Sequence, residues 1–137
     1  MVAPDVHYWL PIVEDRYRAD PRPQTKFLPA IYDDDYHDLD QRIRQLETHL
    51  SRRTNPEPRM RHVITNIEAF HAEEDEDEFD TCSNFVVCRN RREHEQVILV
   101  GGREDRLRRE KGSFKLVRRK ILLPQRVIHD SDLFYLI

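Results

Sequence analysis

The sequence predicts an α+β fold in which one curved, mostly antiparallel sheet packs its inner face against helix. Three observations carry this: four successive blocks of strand periodicity from residue 61 onward, one segment of helical periodicity before them, and an aromatic, branched segment near the start. At 137 residues the chain has room for one core, so residues 1–137 read as a single domain. Apolar residues make up 38% and charged residues 36%. The aromatic and branched residues fall in blocks, which favours a folded domain with a heavily charged surface over a disordered chain.

Taken in order, Asp5 to Val13 (DVHYWLPIV) is rich in strand formers with a proline inside, the pattern of a strand near a sheet edge or bulge. Glu14 to Pro29, with three prolines, reads as an irregular connection. Between Asp38 and Arg52 the residues Leu39, Ile43, Leu46 and Leu50 recur on one helical face, with Asp38 as expected N-cap, Arg52 and Arg53 suiting the C-terminal dipole and Thr54 to Pro58 as the stop. The strands then run Arg61–Phe70, Phe79–Asn90, Gln96–Arg108 and Phe114–Ile128, with Asp132–Ile137 as a short fifth or a continuation of the fourth. Their short connections predict antiparallel neighbours. Lys111-Gly112-Ser113 fits a hairpin turn, and Gly101-Gly102 a bulge or bend. The tract Glu73 to Glu78 reads as a solvated loop.

Several function classes are disfavoured. Neither a cleavable leader pattern nor an apolar run of the roughly 18 residues a membrane span needs is present, so the expected location is the cytoplasm, away from membrane. Cys82 and Cys88 lie about 20 Å apart on one strand at about 3.3 Å per residue, so they are expected as buried reduced thiols. Val100-Gly101-Gly102-Arg103 lacks the helix start and GK[ST] sequence of a phosphate loop. The seven histidines form no HExxH or similar set. His62, heading an apolar strand, is the one candidate general acid or base: paired with Asp5 or Asp38 inside a cone-shaped sheet it would make a stand-alone lyase or isomerase.

Charge is distributed unevenly. Residues 1–80 carry 10 Lys/Arg against 19 Asp/Glu, and residues 81–137 carry 13 against 7, which points to internal pairing or a charged partner surface. The basic part is a ladder that includes Arg103, Arg108, Arg109, Arg118 and Arg119, interleaved with Glu104, Asp105 and Glu110. Nucleic acid would call for fewer acids and more aromatics than Phe114 alone. Arg103, Asp105, Arg108, Arg109, Arg118 and Arg119 are therefore expected as a cross-strand ladder or subunit interface.

At this ladder the sequence resembles the small (beta) subunit of aromatic-ring-hydroxylating dioxygenases. The residues that carry the likeness are Ser83-Asn84-Phe85, Arg89-Asn90-Arg91, Gly102-Arg103-x-Asp105-x-Leu107-Arg108-Arg109 and Gly112-x-Phe114-x-Leu116-x-Arg118-Arg119. Upstream, Arg61-His62-Val63-Ile64-Thr65-Asn66-Ile67, Tyr8-Trp9-Leu10-Pro11-Ile12 and Asp38-Leu39-x-x-Arg42 fall in the family's order.

The resemblance implies a cystatin-like, nuclear transport factor 2-like sheet and a structural, non-catalytic role in aromatic hydrocarbon catabolism. It also implies a large (alpha) subunit partner holding the Rieske iron–sulfur cluster and the mononuclear iron, three large with three small chains, and no catalytic, cofactor-binding or metal residue in this chain. Two departures stand out. Only Met1 to Pro4 precede Asp5, so the family's N-terminal helices are expected to be missing and the inner face short of cover. Ser51 to Arg59 replaces the family's usual run, which bears on that loop's partner contacts.

Overall fold

The computed structural model describes residues 1–12, 29–47, 56–73 and 75–125. Among them lie β1 (Val2–Pro11), β2 (Ala30–Asp34), α1 (Tyr36–Glu47), β3 (Arg59–His71), β4 (Glu78–Arg91), β5 (Glu95–Glu110) and β6 (Ser113–Leu122). The strands form one sheet in the order β2-β1-β6-β5-β4-β3. Every pairing is antiparallel except that of β1 with β6, which is parallel. The expected connection over 14–28, the helix end at Arg52 and Arg53, residues 126–128 of the fourth strand and the closing strand Asp132–Ile137 lie outside the described residues.

Alternation sorts each strand's side chains onto two faces. On the helix side Tyr8 and Leu10 of β1, Ile121 of β6, Leu99 of β5 and Phe85 and Val87 of β4 join Tyr32 of β2 and Leu39 of α1 in one core. α1 packs over β1 and β2 only, so β3, at the far edge, is exposed along all of its length but Met60. Of the predicted helical stripe within the described residues, Leu39 is buried, Leu46 half-buried and Ile43 exposed.

Three sequence expectations need correction. The helix is capped by Asp35 instead of Asp38: one Asp35 carboxylate oxygen accepts hydrogen bonds from the backbone N–H groups of His37 at 2.8 Å and Asp38 at 3.0 Å, as an N-cap does for the first turn. β1, by contrast, is as expected a strand near a sheet edge and at bulges: it lies next to the edge strand β2, and its two prolines sit at pairing irregularities, Pro11 against β2 and Pro4 against β6. Gly101-Gly102 causes no bulge, since β4 and β5 pair through it without a register shift. Cys82 is exposed and Cys88 half-buried, both free, because their positions in β4 alternate with the buried Phe85 and Val87.

The role of Gly101 is close approach. A Cβ there would come within 2.7 Å of both the Phe85 ring and the Leu122 carbonyl oxygen, whereas at Gly102 the nearest atoms lie 3.8 Å away. The true register shift in β5–β6 falls between Arg106 and Leu107. Lys111 and Gly112, with φ of 49° and 80°, form the two-residue hairpin turn, both in the left-handed region that a type I′ turn requires. Asn66, with φ of 52°, occupies the same region where β3 shifts register against β4.

Replacing Gly101 by Ala is expected to destabilise the protein by about 1–3 kcal/mol, the cost of overpacking a filled core, while Gly102→Ala stays within about 0.5 kcal/mol. Urea denaturation of the two variants checks the contrast.

Candidate functional site: an ion-paired sheet with two faces

Pairing joins the matched sequence strings to one another. Asp105 lies opposite Arg119, Arg106 opposite Arg118, Leu107 opposite Leu116 and Arg109 opposite Phe114. On the helix side Arg119 donates to both carboxylate oxygens of Asp105, at 2.8 and 2.6 Å, the fork geometry that makes Arg–carboxylate pairs strong. Their side chains are only 21% and 10% exposed. Burial works against the charge on Arg119, yet the Asp105 hydrogen bonds and charge outweigh it and raise its pKa above the ordinary value. Arg103, two residues along β5, lies 4.9 Å over the Phe85 ring. Its buried Nε has no hydrogen-bond partner among the described residues; burial first, and then the charge of Arg119, hold its pKa below normal.

A second helix-side pair secures α1. Arg42 donates through Nε and Nη2 to the two carboxylate oxygens of the buried Asp34, the Nη2 bond at 3.0 Å, and its guanidinium lies 4.0 Å over the Tyr32 ring. Leu39 and Arg42 of the matched helix string are thus the residues that fasten α1 to β2. Arg91, also buried, donates to the Pro56 carbonyl at 3.1 Å and so ties β4 to the entry of β3.

On the opposite face the arginines find acids from the acidic part of the chain. Arg106 is bidentate to Asp80, both bonds 2.9 Å. Arg108 donates to Glu78 at 2.9 Å and to both oxygens of Asp5 at 3.2 and 2.9 Å. Lys120 holds Glu104 at 2.9 Å, Lys115 pairs with Glu110, and among the described residues Arg118 reaches only Asp80, at 3.8 Å. Arg109 differs from the rest: it stacks over Phe79 and Phe114, at 4.9 and 5.9 Å, and no carboxylate among the described residues contacts it.

Of the six predicted ladder residues, then, Arg103, Asp105 and Arg119 lie on the helix side, Arg108 and Arg118 on the other face, and Arg109 in an aromatic corner. Sequence reasoning missed Asp5, Asp34, Glu78 and Asp80 as partners. Glu78, read as loop, is the buried first residue of β4. The one available signal was the opposite net charge of the two parts of the chain.

His62 is exposed and joined to no carboxylate by a hydrogen bond or ion pair among the described residues; Asp5 is engaged by Arg108. The described residues bring no three His, Cys, Asp or Glu side chains together as metal ligands. No described helix is long and apolar enough to cross a membrane.

Fold and faces define the class first: a nuclear transport factor 2-like α+β domain whose helix-side face carries a packed core and buried ion pairs. A profile described as "Ring hydroxylating beta subunit" matches residues 1–130. The benzene 1,2-dioxygenase subunit beta of Pseudomonas putida is 37% identical over 98% of this chain and 74% of its own length. The biphenyl 2,3-dioxygenase subunit beta of Rhodococcus jostii strain RHA1 is 32% identical over the same shares. Among solved structures, a chain of naphthalene 1,2-dioxygenase with indole bound in the active site superposes with a TM-score of 0.89 at 25% identity, covering 97% of this chain and 69% of that one. The beta subunit of benzoate 1,2-dioxygenase from Burkholderia mallei shares the fold, with a TM-score of 0.69. This chain belongs to the family of ring-hydroxylating beta subunits.

Arg119→Ala leaves the Asp105 carboxylate buried without its fork and is expected to cost about 3 kcal/mol, whereas the double replacement Asp105→Leu with Arg119→Met recovers most of it; denaturant midpoints of the single and double variants decide. Acid stability gives a separate check. Hydrogen bonds from Arg106 hold the Asp80 carboxyl below its ordinary value of 3.8. A carboxyl depressed by folding stabilises above its unfolded pKa, and that stability is lost as pH falls through the folded value. Thermal melting points of Asp80→Asn should therefore fall less steeply than wild type below pH 3.8.

Proposed function

We propose that this chain is the structural, non-catalytic small subunit of a multicomponent Rieske non-haem iron dioxygenase that hydroxylates aromatic rings in catabolism. Its partner is the large (alpha) subunit, which holds the Rieske iron–sulfur cluster and the mononuclear iron, and the assembly has three large and three small chains. Residues 1–137 act as one domain, in the cytoplasm. In this reading the ladder of Arg103, Asp105, Arg108, Arg109, Arg118 and Arg119 sets the geometry of the sheet and of its subunit contacts.

The observation that carries the reading is the family match over residues 1–130, whose matched strings pair with one another across β5 and β6. The helix-side face supports it further, because Asp105, Arg119, Arg42 and Asp34 are used up in ion pairs there. These four charged groups are committed to structure instead of to a bound substrate. The exposed side of the sheet, with Val63, Ile98 and Val100 at 50%, 54% and 42% exposure, offers apolar area of the kind that subunit contacts cover.

Co-expression with a Rieske-type large subunit tests this. The two chains are expected to co-purify in equal numbers as a three-plus-three particle by sedimentation, with iron found only when the large subunit is present. Iron bound by this chain alone, or turnover of an arene by it alone, overturns the proposal.

A further inference from the structure

On the helix side, Arg103 differs from the paired charges around it. Its guanidinium lies over the buried Phe85 ring at 4.9 Å, and its buried Nε donates to no acceptor among the described residues. The residue as a whole is only half-buried, so its two Nη groups form the open end. Asp105, two residues along β5 on the same face, turns both carboxylate oxygens to Arg119. Two guanidiniums thus share one carboxylate, and one positive charge is left over. Ser83 of β4 stands opposite Arg103, and Thr81 opposite Asp105. Residues that face each other across antiparallel strands share a face, which puts both hydroxyls beside the guanidinium. Both residues are half-buried, and neither hydroxyl is held by a hydrogen bond among the described residues. The adjoining surface is apolar: Ile64 of β3 lies opposite Phe85 and is 37% exposed.

We propose that Arg103, with the Ser83 hydroxyl opposite it, is a receptor for the carboxylate of a small acid that has an apolar body. The two Nη groups of a guanidinium meet the two oxygens of a carboxylate in a planar fork. Ser83 adds a third donor from the neighbouring strand. The surplus of one positive charge selects a monoanion, since a phosphate dianion would overshoot it and a cation would be repelled. Ile64 gives the body of the acid apolar surface to cover. The lowered pKa of Arg103 agrees with this, because burial and the charge of Arg119 outweigh the pull of Asp105. A carboxylate brought from outside would supply the missing compensation. The inference concerns a ligand of this chain and stands apart from its role beside a large subunit.

The test titrates benzoate into the nitrogen-15-labelled full-length chain and follows, by nuclear magnetic resonance, the Arg103 Nε–H signal, which burial shields from exchange with water. A saturable shift of that signal is expected. Benzamide, with the same ring and no charge, should bind about tenfold more weakly or worse, and inorganic phosphate more weakly than benzoate. In the variants the backbone amide signals of residues 83 and 85 report binding. Arg103→Gln is expected to lower benzoate affinity about tenfold or more, and Ser83→Ala about threefold. An unmoved Arg103 signal, equal binding of benzamide, binding of phosphate as tight as that of benzoate, or full affinity in Arg103→Gln overturns the proposal. The comparison of the three probes on the wild type keeps the test valid should a variant fail to fold.

Discussion

The β2-β1-β6 side of the sheet depends on the fork between Arg119 and Asp105. β5 and β6 leave their hairpin turn in one register and lose it between Arg106 and Leu107; beyond that shift, a guanidinium gripping both oxygens of a nearly buried carboxylate leaves a single alignment. A slip of β6 by one residue would turn Arg119 to the other face and leave Asp105 buried without its partner. Only with β6 so fixed can β1 lie along it with Tyr8 opposite Arg119. β2 then pairs with β1, and Asp34 is placed for Arg42 to bring α1 onto the core.

The two faces use the same residue types to different ends. On the helix side, burial raises the stakes of each charge: Asp105 and Asp34 are both paired by a guanidinium fork, and Arg103 rests on an aromatic ring. On the other face, Arg106 and Arg108 join β5 to β4 and to β1 through Asp80, Glu78 and Asp5. Pairs this exposed add little stability each. Their larger effect is to neutralise the surplus positive charge of β5 and β6 with the surplus negative charge of the earlier segments.

Much of this was legible in the sequence, and the misses have physical causes. The hairpin strands β3 to β6 follow from local periodicity and turn chemistry, which Lys111 and Gly112 satisfy as expected. β2 escaped because its inward residues are Tyr32 and Asp34, so a buried acid broke the alternation that marks a strand. The pairing of β1 with β6 has no local signature at all. The arginines themselves were plain to see. Their partners were not, because Asp5 lies 103 residues from Arg108, Glu78 lies 30 from it and Asp80 lies 26 from Arg106, and only the topology brings them together.

The parallel contact between β1 and β6 also governs the order in which the molecule can be built. During synthesis β1 emerges long before β6, and although β2 can pair with one of its edges early, the edge that sets His7, Tyr8 and Trp9 against β6 has no partner until the β5–β6 hairpin exists. Closing so long a loop is entropically costly and slow. The nascent chain therefore carries one unpaired edge of β1 until residue 122 has left the ribosome, and that edge is open to aggregation meanwhile.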